Sequence, residues 1–241
     1  MIMKKTNLLL VPVVSLLIGI GSSHKILAAT QIKNESQDLG VIYDNFAVDG
    51  GIQGEIVNID KPVTIYDPDA APTSRNLNLQ WVQQQNNYFC GPASVYMLVR
   101  PFNSNISQDS LAKDLGTTSS GGTGFGSNLV TVLNNKTGIQ WGLKWHTYSD
   151  ISTIQSDIVS AICYGNGVLL NTIESPGDYY FAGHNNYGTL YHYGVIDAYT
   201  QSGAKVTYKD PGAGRFTGFV QSQTVPIKNA SYACGGRGYV W

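Results

Sequence analysis

The sequence has few charged residues and no block of like charge. Asp, Glu, Lys and Arg make up 13% of the 241 residues, and 15 basic residues against 16 acidic ones leave a formal charge of -1 at pH 7. Proteins that bind nucleic acid normally concentrate Lys and Arg in one stretch or on one face. We therefore expect no nucleic acid among the partners. A hydrophobic content of 42% disfavours disorder and predicts a folded chain.

Cysteine is also scarce, since the chain has only Cys90, Cys163 and Cys234. Three are too few for a scaffold that depends on disulfides, and an odd number leaves at least one thiol unpaired. The sequence has no C-x-x-C pair and no histidine at zinc-ligand spacing from a cysteine, so we expect no metal site and no cofactor. A bridge between Cys163 and Cys234 and a pair of buried free thiols both remain open at this point.

Long hydrophobic runs are absent except for one near the N-terminus. Lys4 and Lys5 precede an apolar stretch at residues 8–20, and Ala28 and Ala29 follow it. This is the layout of a secretory signal peptide, and the stretch is shorter than the roughly 20 residues that a membrane-spanning helix needs. We expect residues 1–29 to be removed and the rest to be secreted or held at the cell surface, without stable membrane insertion. A permanent anchor is the alternative.

The character of the sequence changes near residue 75. Residues 30–76 are turn-rich and contain a cluster of breakers at residues 67–72. We interpret residues 30–76 as an N-terminal segment, either a propeptide or a spacer. Residues 77–241 are then one domain.

Helical patterns come first in this domain and strand patterns follow. Residues 92–100 have a continuous apolar face, and a second helix is predicted between an N-cap at Ser107 and a C-cap at Gly116. The pattern continues at residues 129–133. Beyond residue 139 the period becomes that of strands, with a helix at 149–163 and strands at 139–146, 168–171, 191–199, 205–209 and 215–220. This order predicts an α+β fold.

Two stretches have no predicted element. Residues 117–127 are polar and glycine-rich, which predicts a mobile surface loop. The tail at residues 232–241 is aromatic and rich in glycine, and its sequence indicates no role.

Residue types suited to catalysis are concentrated at residues 83–94. Cys90 is followed by Gly91, Pro92 and an apolar helical run, which places Cys90 at a helix N-terminus. Free N–H groups and the positive end of the helix dipole stabilise a thiolate there, and the thiolate is the nucleophile of thiol enzymes. Glutamines at residues 83–85 could donate hydrogen bonds to a developing oxyanion. The alternative is a small buried cysteine beside solvated glutamines.

Three motifs occur in a fixed order along the chain: Gln84-x5-Cys90-Gly-Pro-Ala-Ser, His192-Tyr-Gly-Val-Ile-Asp-Ala-Tyr and Val206-Thr-Tyr-Lys-Asp210-Pro. Together they resemble the C39-like cysteine peptidase family, a branch of the papain-like superfold, in which glutamine, cysteine, histidine and an acid or amide follow one another. The resemblance covers residues 78–225. It implies a papain-like fold with a helical first lobe that carries the nucleophile and an antiparallel sheet in the second lobe that carries the histidine and the aspartate.

The resemblance also implies a role for each of the four residues. Cys90 would be the nucleophile and His192 the general base and acid. Asp210 would orient the imidazole and fix its tautomer. Gln84, six residues before the cysteine, would donate a hydrogen bond to the oxyanion.

The implied function is hydrolysis of peptide bonds by a secreted cysteine peptidase, with a peptide or protein as substrate. Neither His146 nor His184 has the context of the motif histidine, because His146 ends a predicted strand with no acidic residue after it and His184 lies in a loop. One alternative is a cell-wall amidase or acyltransferase with the same chemistry, although no wall-binding repeat is present. The other is a secreted binding module on a catalytically idle fold, although no member of the triad is lost.

Overall fold

This computed structural model describes residues 71–241. The expected signal peptide at residues 1–29 and the N-terminal segment as far as residue 70 lie outside the described residues. Residues 71–76, also assigned to that segment, lie against the domain. The hydroxyl of Tyr199 donates to the carbonyl of Pro72 at 2.9 Å, and the N–H of Ser202 donates to the carbonyl of Thr73 at 2.8 Å.

Five α-helices form in the described part of the chain. Ser107 caps the second of them by accepting a hydrogen bond from the N–H of Ser110, and Gly116 ends it in a left-handed conformation with φ 66°. Both caps were predicted from the sequence and are confirmed. The helices are α1 (Cys90–Val99), α2 (Gln108–Leu115), α3 (Ser127–Thr137), α4 (Ile151–Cys163) and α5 (Ile227–Ala233).

Within residues 71–241 seven strands pair into one sheet, and every pairing between these strands is antiparallel. In chain order they are β1 (Arg75–Asn76), β2 (Leu143–Trp145), β3 (Val168–Glu174), β4 (Leu190–Thr200), β5 (Lys205–Lys209), β6 (Ser222–Pro226) and β7 (Gly238–Val240). The order across the sheet is β2-β7-β3-β4-β5-β6, and β1 pairs with the end of β4. Helices therefore precede most of the strands along the chain, and the predicted α+β fold is confirmed.

The central strand β4 is buried along almost its whole length, because apolar clusters cover it on both faces. Tyr193 and Val195 belong to a cluster with side chains of α1, α2 and α3. Ile196 and Tyr199 belong to a second cluster with side chains of α4 and α5. A strand between two layers of helix has to be apolar at nearly every position, so the buried polar residues His192 and Asp197 stand out within it.

The register of the sheet brings two of the motifs together. On one side of β4, His192 is paired with Thr172 of β3. On the other side Val195 is paired with Lys209 of β5, so the next residue along the chain, Asp210, comes alongside the half of β4 that contains His192. The nucleophile motif reaches the same region from the N-terminus of α1.

The aromatic, glycine-rich tail is part of the sheet. Strand β7 lies between β2 and β3, and Tyr239 and Val240 are fully buried. The terminal Trp241 is 9% exposed and belongs to the second apolar cluster.

One local prediction was wrong. Residues 215–220 form turns and not a strand, because Gly214 and Gly218 have φ of 76° and 90°, which interrupt an extended strand.

The polar loop at residues 117–127 lies partly at the surface, since residues 118–120 are exposed. It is anchored from within, because Thr123 and Phe125 are buried and the hydroxyls of Thr117 and Thr123 lie 2.8 Å apart.

All three cysteines are free thiols and all three are buried. Of the two alternatives for Cys163 and Cys234, the structure therefore has the pair of free thiols. Cys163 Sγ lies 3.2 Å from the hydroxyl of Tyr199.

Within residues 71–241, no helix combines the length and the apolar character that a membrane span requires.

One close approach inside the sheet predicts a stability effect. A Cβ added to Gly194 would overlap the ring of Tyr208, and that ring cannot retreat because it stacks on Phe181 at a centroid distance of 3.9 Å. We expect Gly194→Ala to lower the free energy of unfolding by about 1–3 kcal/mol, measured by urea denaturation. The matched control is Gly124→Ala, where an added Cβ meets nothing within 4 Å. Equal stability of the two variants would contradict this packing.

Candidate active site

Cys90 is the first residue of α1 and is fully buried. Its position leaves the N–H groups of Cys90 and Gly91 without acceptors inside the helix. The preceding residue, Phe89, makes no capping hydrogen bond with its side chain. The thiol therefore lies at a helix end that favours a negative charge.

Gly91 allows the loop before α3 to approach the nucleophile motif. A Cβ on Gly91 would overlap the side chain of Thr123, which lies directly over it. Thr123 is fully buried, and its carbonyl accepts a hydrogen bond from the hydroxyl of Tyr193 on β4 at 3.2 Å. The loop at residues 117–127 therefore connects the start of α1 to the central strand.

His192 is fully buried on β4, and its Nε2 donates to Asp210 Oδ1 at 2.8 Å. Burial alone would lower the pKa of His192. The Asp210 carboxylate and the nearby Cys90 thiol outweigh burial and raise the pKa above its ordinary value, to about 9. The other ring nitrogen, Nδ1, has no hydrogen-bond partner among residues 71–241. Nδ1 is therefore the atom that can exchange a proton with the thiol.

The Asp210 carboxylate is fully buried and accepts three hydrogen bonds. Oδ1 accepts from His192 Nε2 and from the N–H of Gly212 at 2.7 Å, and Oδ2 accepts from His184 Nε2 at 2.6 Å. Burial by itself would raise the pKa of this carboxyl group. The two histidines outweigh it and hold the pKa of Asp210 well below its usual range.

His184 is the residue that the sequence analysis missed. It is fully buried in a short 3-10 helix at His184–Tyr187, and its Nδ1 lies 2.9 and 3.0 Å from the two carboxylate oxygens of Glu174. Burial alone would lower the pKa of His184. Glu174 and Asp210 outweigh burial and raise the pKa above its ordinary value, to about 9. No periodicity or spacing in the sequence signals this placement, because His184 stands in a loop.

Gln84 is buried beside the turn that contains Asp210. Its N–H donates to the carbonyl of Pro211 at 2.8 Å, and its side-chain Nε2 donates to the carbonyl of Asn86 at 2.7 Å. The side-chain amide nitrogen carries two N–H groups, so its second N–H takes no part in the bond to Asn86. Gln84 Oε1 is buried and has no partner within the described residues.

The segment around Gln84 is held from two sides. Arg215 donates from Nε to the carbonyl of Gln84 at 3.0 Å and from a terminal nitrogen to the carbonyl of Gln85 at 2.6 Å. The side chain of Gln108 on α2 donates to the carbonyl of Gln83 at 2.8 Å and accepts from the N–H of Gln85 at 3.0 Å. These bonds fix the backbone on both sides of Gln84.

The structure therefore brings Cys90, His192 and Asp210 into one buried cluster, with Gln84 bonded to the same turn as Asp210. His146 is instead bonded to Ser231, at 2.7 Å from Nε2 to the hydroxyl, and burial lowers the pKa of His146 to about 4. A neutral, structural imidazole is the consequence.

One group in the described chain is close enough to hold a metal ion. It consists of His184, His192 and Asp210, whose ligand atoms lie within 4.8 Å of one another. Asp210 accepts a hydrogen bond from the Nε2 of each of these two imidazoles, so the three side chains are already joined to one another by hydrogen bonds.

The chain matches one family of known proteins. The model of the Peptidase C39 like family matches residues 76–232. Among solved structures, a Bacillus anthracis protein described as a C39-like peptidase is similar at 13% sequence identity and a TM-score of 0.48, over 70% of this chain and 96% of that one. No curated protein matches the chain.

Buried His184 predicts a decline of stability at alkaline pH. His184 has a folded pKa of about 9, above the value of about 6.5 expected in the unfolded chain. Its contribution is complete below about pH 6.5 and is lost as the pH rises through the folded value. We expect the free energy of unfolding, measured by urea titration, to fall between pH 6.5 and pH 9.5.

Cysteine thiols of the unfolded chain also lose their protons in this pH range and change the stability with pH, so a matched variant is needed. In Glu174→Gln/His184→Gln the amides keep hydrogen bonds at both positions, while the imidazole with the raised pKa is gone. We expect a smaller alkaline decline in this variant, because the thiol contribution is the same in both proteins. An equal decline would contradict the raised pKa of His184.

Proposed function

The chain belongs to the C39-like peptidase family, and we propose that it is a secreted cysteine peptidase in which Cys90, His192 and Asp210 form the catalytic triad. The observation that carries this proposal is the single buried network in which His192 bonds to Asp210 through Nε2 and keeps Nδ1 for the thiol. The substrate is then a peptide or protein chain.

The first half of the reaction forms a thioester. His192 takes the proton of the Cys90 thiol through its unpartnered Nδ1, which leaves a thiolate beside an imidazolium. The thiolate attacks the carbonyl carbon of the scissile bond and forms a tetrahedral intermediate. The imidazolium then returns its proton to the leaving amine as the C–N bond breaks.

The second half hydrolyses the thioester. His192, now neutral, takes a proton from a water molecule, whose oxygen attacks the thioester carbonyl. The C–S bond breaks, the acid product leaves, and the thiolate and imidazolium are restored. Asp210 stays ionised throughout and keeps the imidazole in one orientation.

Gln84 is the proposed side-chain donor to the oxyanion, together with the N–H of Cys90. One N–H of the Gln84 amide is committed to Asn86, and the second is the one available to a negatively charged oxygen. The bonds from Arg215 and Gln108 support this role, because an oxyanion donor is effective only when it is held in place before the reaction.

Secretion is the proposed location. It rests on the signal-peptide pattern at residues 1–29 of the sequence. N-terminal sequencing of the protein recovered from culture medium, with a start near residue 30, tests it. Retention of residues 1–29 in the protein would contradict it.

Substitution of the triad tests the proposed chemistry. We expect Cys90→Ala and His192→Ala each to abolish hydrolysis of a peptide panel almost completely, and the double variant to be no worse, because members of a catalytic unit are not additive. Asp210→Ala should be milder, since nucleophile and base remain. Gln84→Ala should lower kcat by roughly 10²–10³.

Far-UV circular dichroism of each variant controls for folding. Activity in a well-folded Cys90→Ala variant would refute the cysteine-peptidase mechanism. Lack of activity in every protein, wild type included, would favour the catalytically idle binding module. Cleavage of wall peptide amides in preference to proteins would favour the amidase.

Alkylation compares the three thiols without a substrate. All three are buried, so the expected difference comes from the thiolate that His192 and the helix end stabilise. We expect iodoacetamide to modify Cys90 faster than Cys163 and Cys234 at pH 6–7, as mapped by peptide mass spectrometry. His192→Ala should slow the reaction at Cys90 alone. Faster modification of Cys163 or Cys234 in the wild type would contradict the assignment.

A further inference from the structure

A second histidine stands behind the proposed triad. His184 bonds to Asp210 Oδ2 at 2.6 Å through Nε2, and to the carboxylate of Glu174 through Nδ1. Nε2 of His192 donates to the other carboxylate oxygen of Asp210, Oδ1. The two imidazole rings are perpendicular and 5.3 Å apart between centroids, and the Asp210 carboxylate bridges their Nε2 atoms.

The contacts of His184 require both of its ring nitrogens to carry protons. A neutral imidazole has one donor and one acceptor, so one of its nitrogens would direct a lone pair at a carboxylate. Donors surround the carboxylate of Glu174, because it also accepts hydrogen bonds from the hydroxyl of Thr172 at 3.1 Å and from the N–H of Phe181 at 2.8 Å. His184 is therefore an imidazolium between two carboxylates.

The other surroundings of His184 also suit a cation. The ring of Phe219 lies over it at a centroid distance of 4.0 Å and an interplanar angle of 31°, and Phe181 contacts it edge-on at 5.8 Å. An aromatic face attracts a cation. Glu174, Asp210 and His192 are the ionisable side chains that the described structure places against His184, and all of them are fully buried.

Asp210 needs a second anchor because of its place in the fold. Asp210 follows the end of β5 and lies in a turn. The N–H of Gly212 and Nε2 of His192 both donate to its Oδ1. The torsion that rotates a carboxylate is broad and roughly two-fold, so bonds to one oxygen alone do not fix its plane. The bond from His184 to Oδ2 does.

We propose that His184, held as an imidazolium by Glu174, is a positioning residue that fixes the plane of the Asp210 carboxylate behind His192. This inference rests on the proposed function, because it assigns His184 a part in that same site. His184 does not reach the substrate; it acts through Asp210.

Nitrogen-15 NMR of the histidine rings tests the charge. The sequence has four histidines, so single substitutions assign the signals. We expect both ring nitrogens of His184 to be protonated at pH 7, and one of them to lose its proton in Glu174→Gln, where the counter-charge is gone. A neutral His184 in the wild type would overturn the proposal.

A double-mutant cycle tests the positioning. His184→Phe removes the donor to Asp210 and keeps a ring in the cavity, while Asp210→Asn removes the carboxylate. We expect His184→Phe to speed the exchange with water of the proton between His192 Nε2 and Asp210 by at least about tenfold, and to lower kcat by about 10–100-fold, as for a small misplacement of catalytic groups. In the Asp210→Asn background the further loss of kcat should disappear. Additive losses would indicate a purely structural role and overturn the proposal.

The double variant Glu174→Gln/His184→Phe guards against a folding failure. It removes the donor to Asp210 Oδ2 together with the Glu174 charge that His184→Phe would leave unpaired, so we expect it to fold and to show the same faster exchange and the same loss of kcat as His184→Phe. If His184→Phe does not fold, proton exchange at His192 in this double variant decides, and wild-type exchange would overturn the proposal. The NMR measurements need no substrate, so they can fail or succeed independently of the proposed peptidase activity.

Discussion

The buried carboxylate of Asp210 is the constraint on which the arrangement of this site depends. An ionised carboxylate removed from water costs several kcal/mol unless donors surround it. Here His192 and the N–H of Gly212 donate to Oδ1, and His184 donates to Oδ2. Trp81 Nε1 donates to the backbone carbonyl of Asp210 at 2.6 Å. A strand, a 3-10 helix, a turn and the segment before α1 must all meet at this point, so their positions follow from one charged group.

The same turn links the two halves of the domain. Pro211 accepts the backbone hydrogen bond of Gln84, and Arg215 donates to the carbonyls of Gln84 and Gln85. The segment that precedes the cysteine is therefore bonded to the segment that follows β5. Because the nucleophile comes from a helix and the base from a strand, this direct link between their flanking segments limits how far the thiol and the imidazole can separate.

The features predicted from the sequence were those that short stretches determine. The caps at Ser107 and Gly116 depend on neighbouring backbone groups, and the juxtaposition of the cysteine and histidine motifs depends on their order in a recognisable family. His184 was missed because its partners lie 10 and 26 residues away and only the fold brings them together. The strand predicted at residues 215–220 failed for a local reason, since the aromatic residues there resemble a strand while the glycines turn the chain.

The pairing of His184 with Glu174 explains how Asp210 can be anchored without a change in the net charge of the site. A lone cation at Oδ2 would hold the carboxylate firmly, since a charge-assisted hydrogen bond is roughly twice as strong as a neutral one. It would also oppose the positive charge on His192, whose ring is only 5.3 Å away. Glu174 cancels that charge from the far side of His184, so the pair adds a strong donor and no net charge. The basicity of His192 then remains governed by Asp210 and by the thiol.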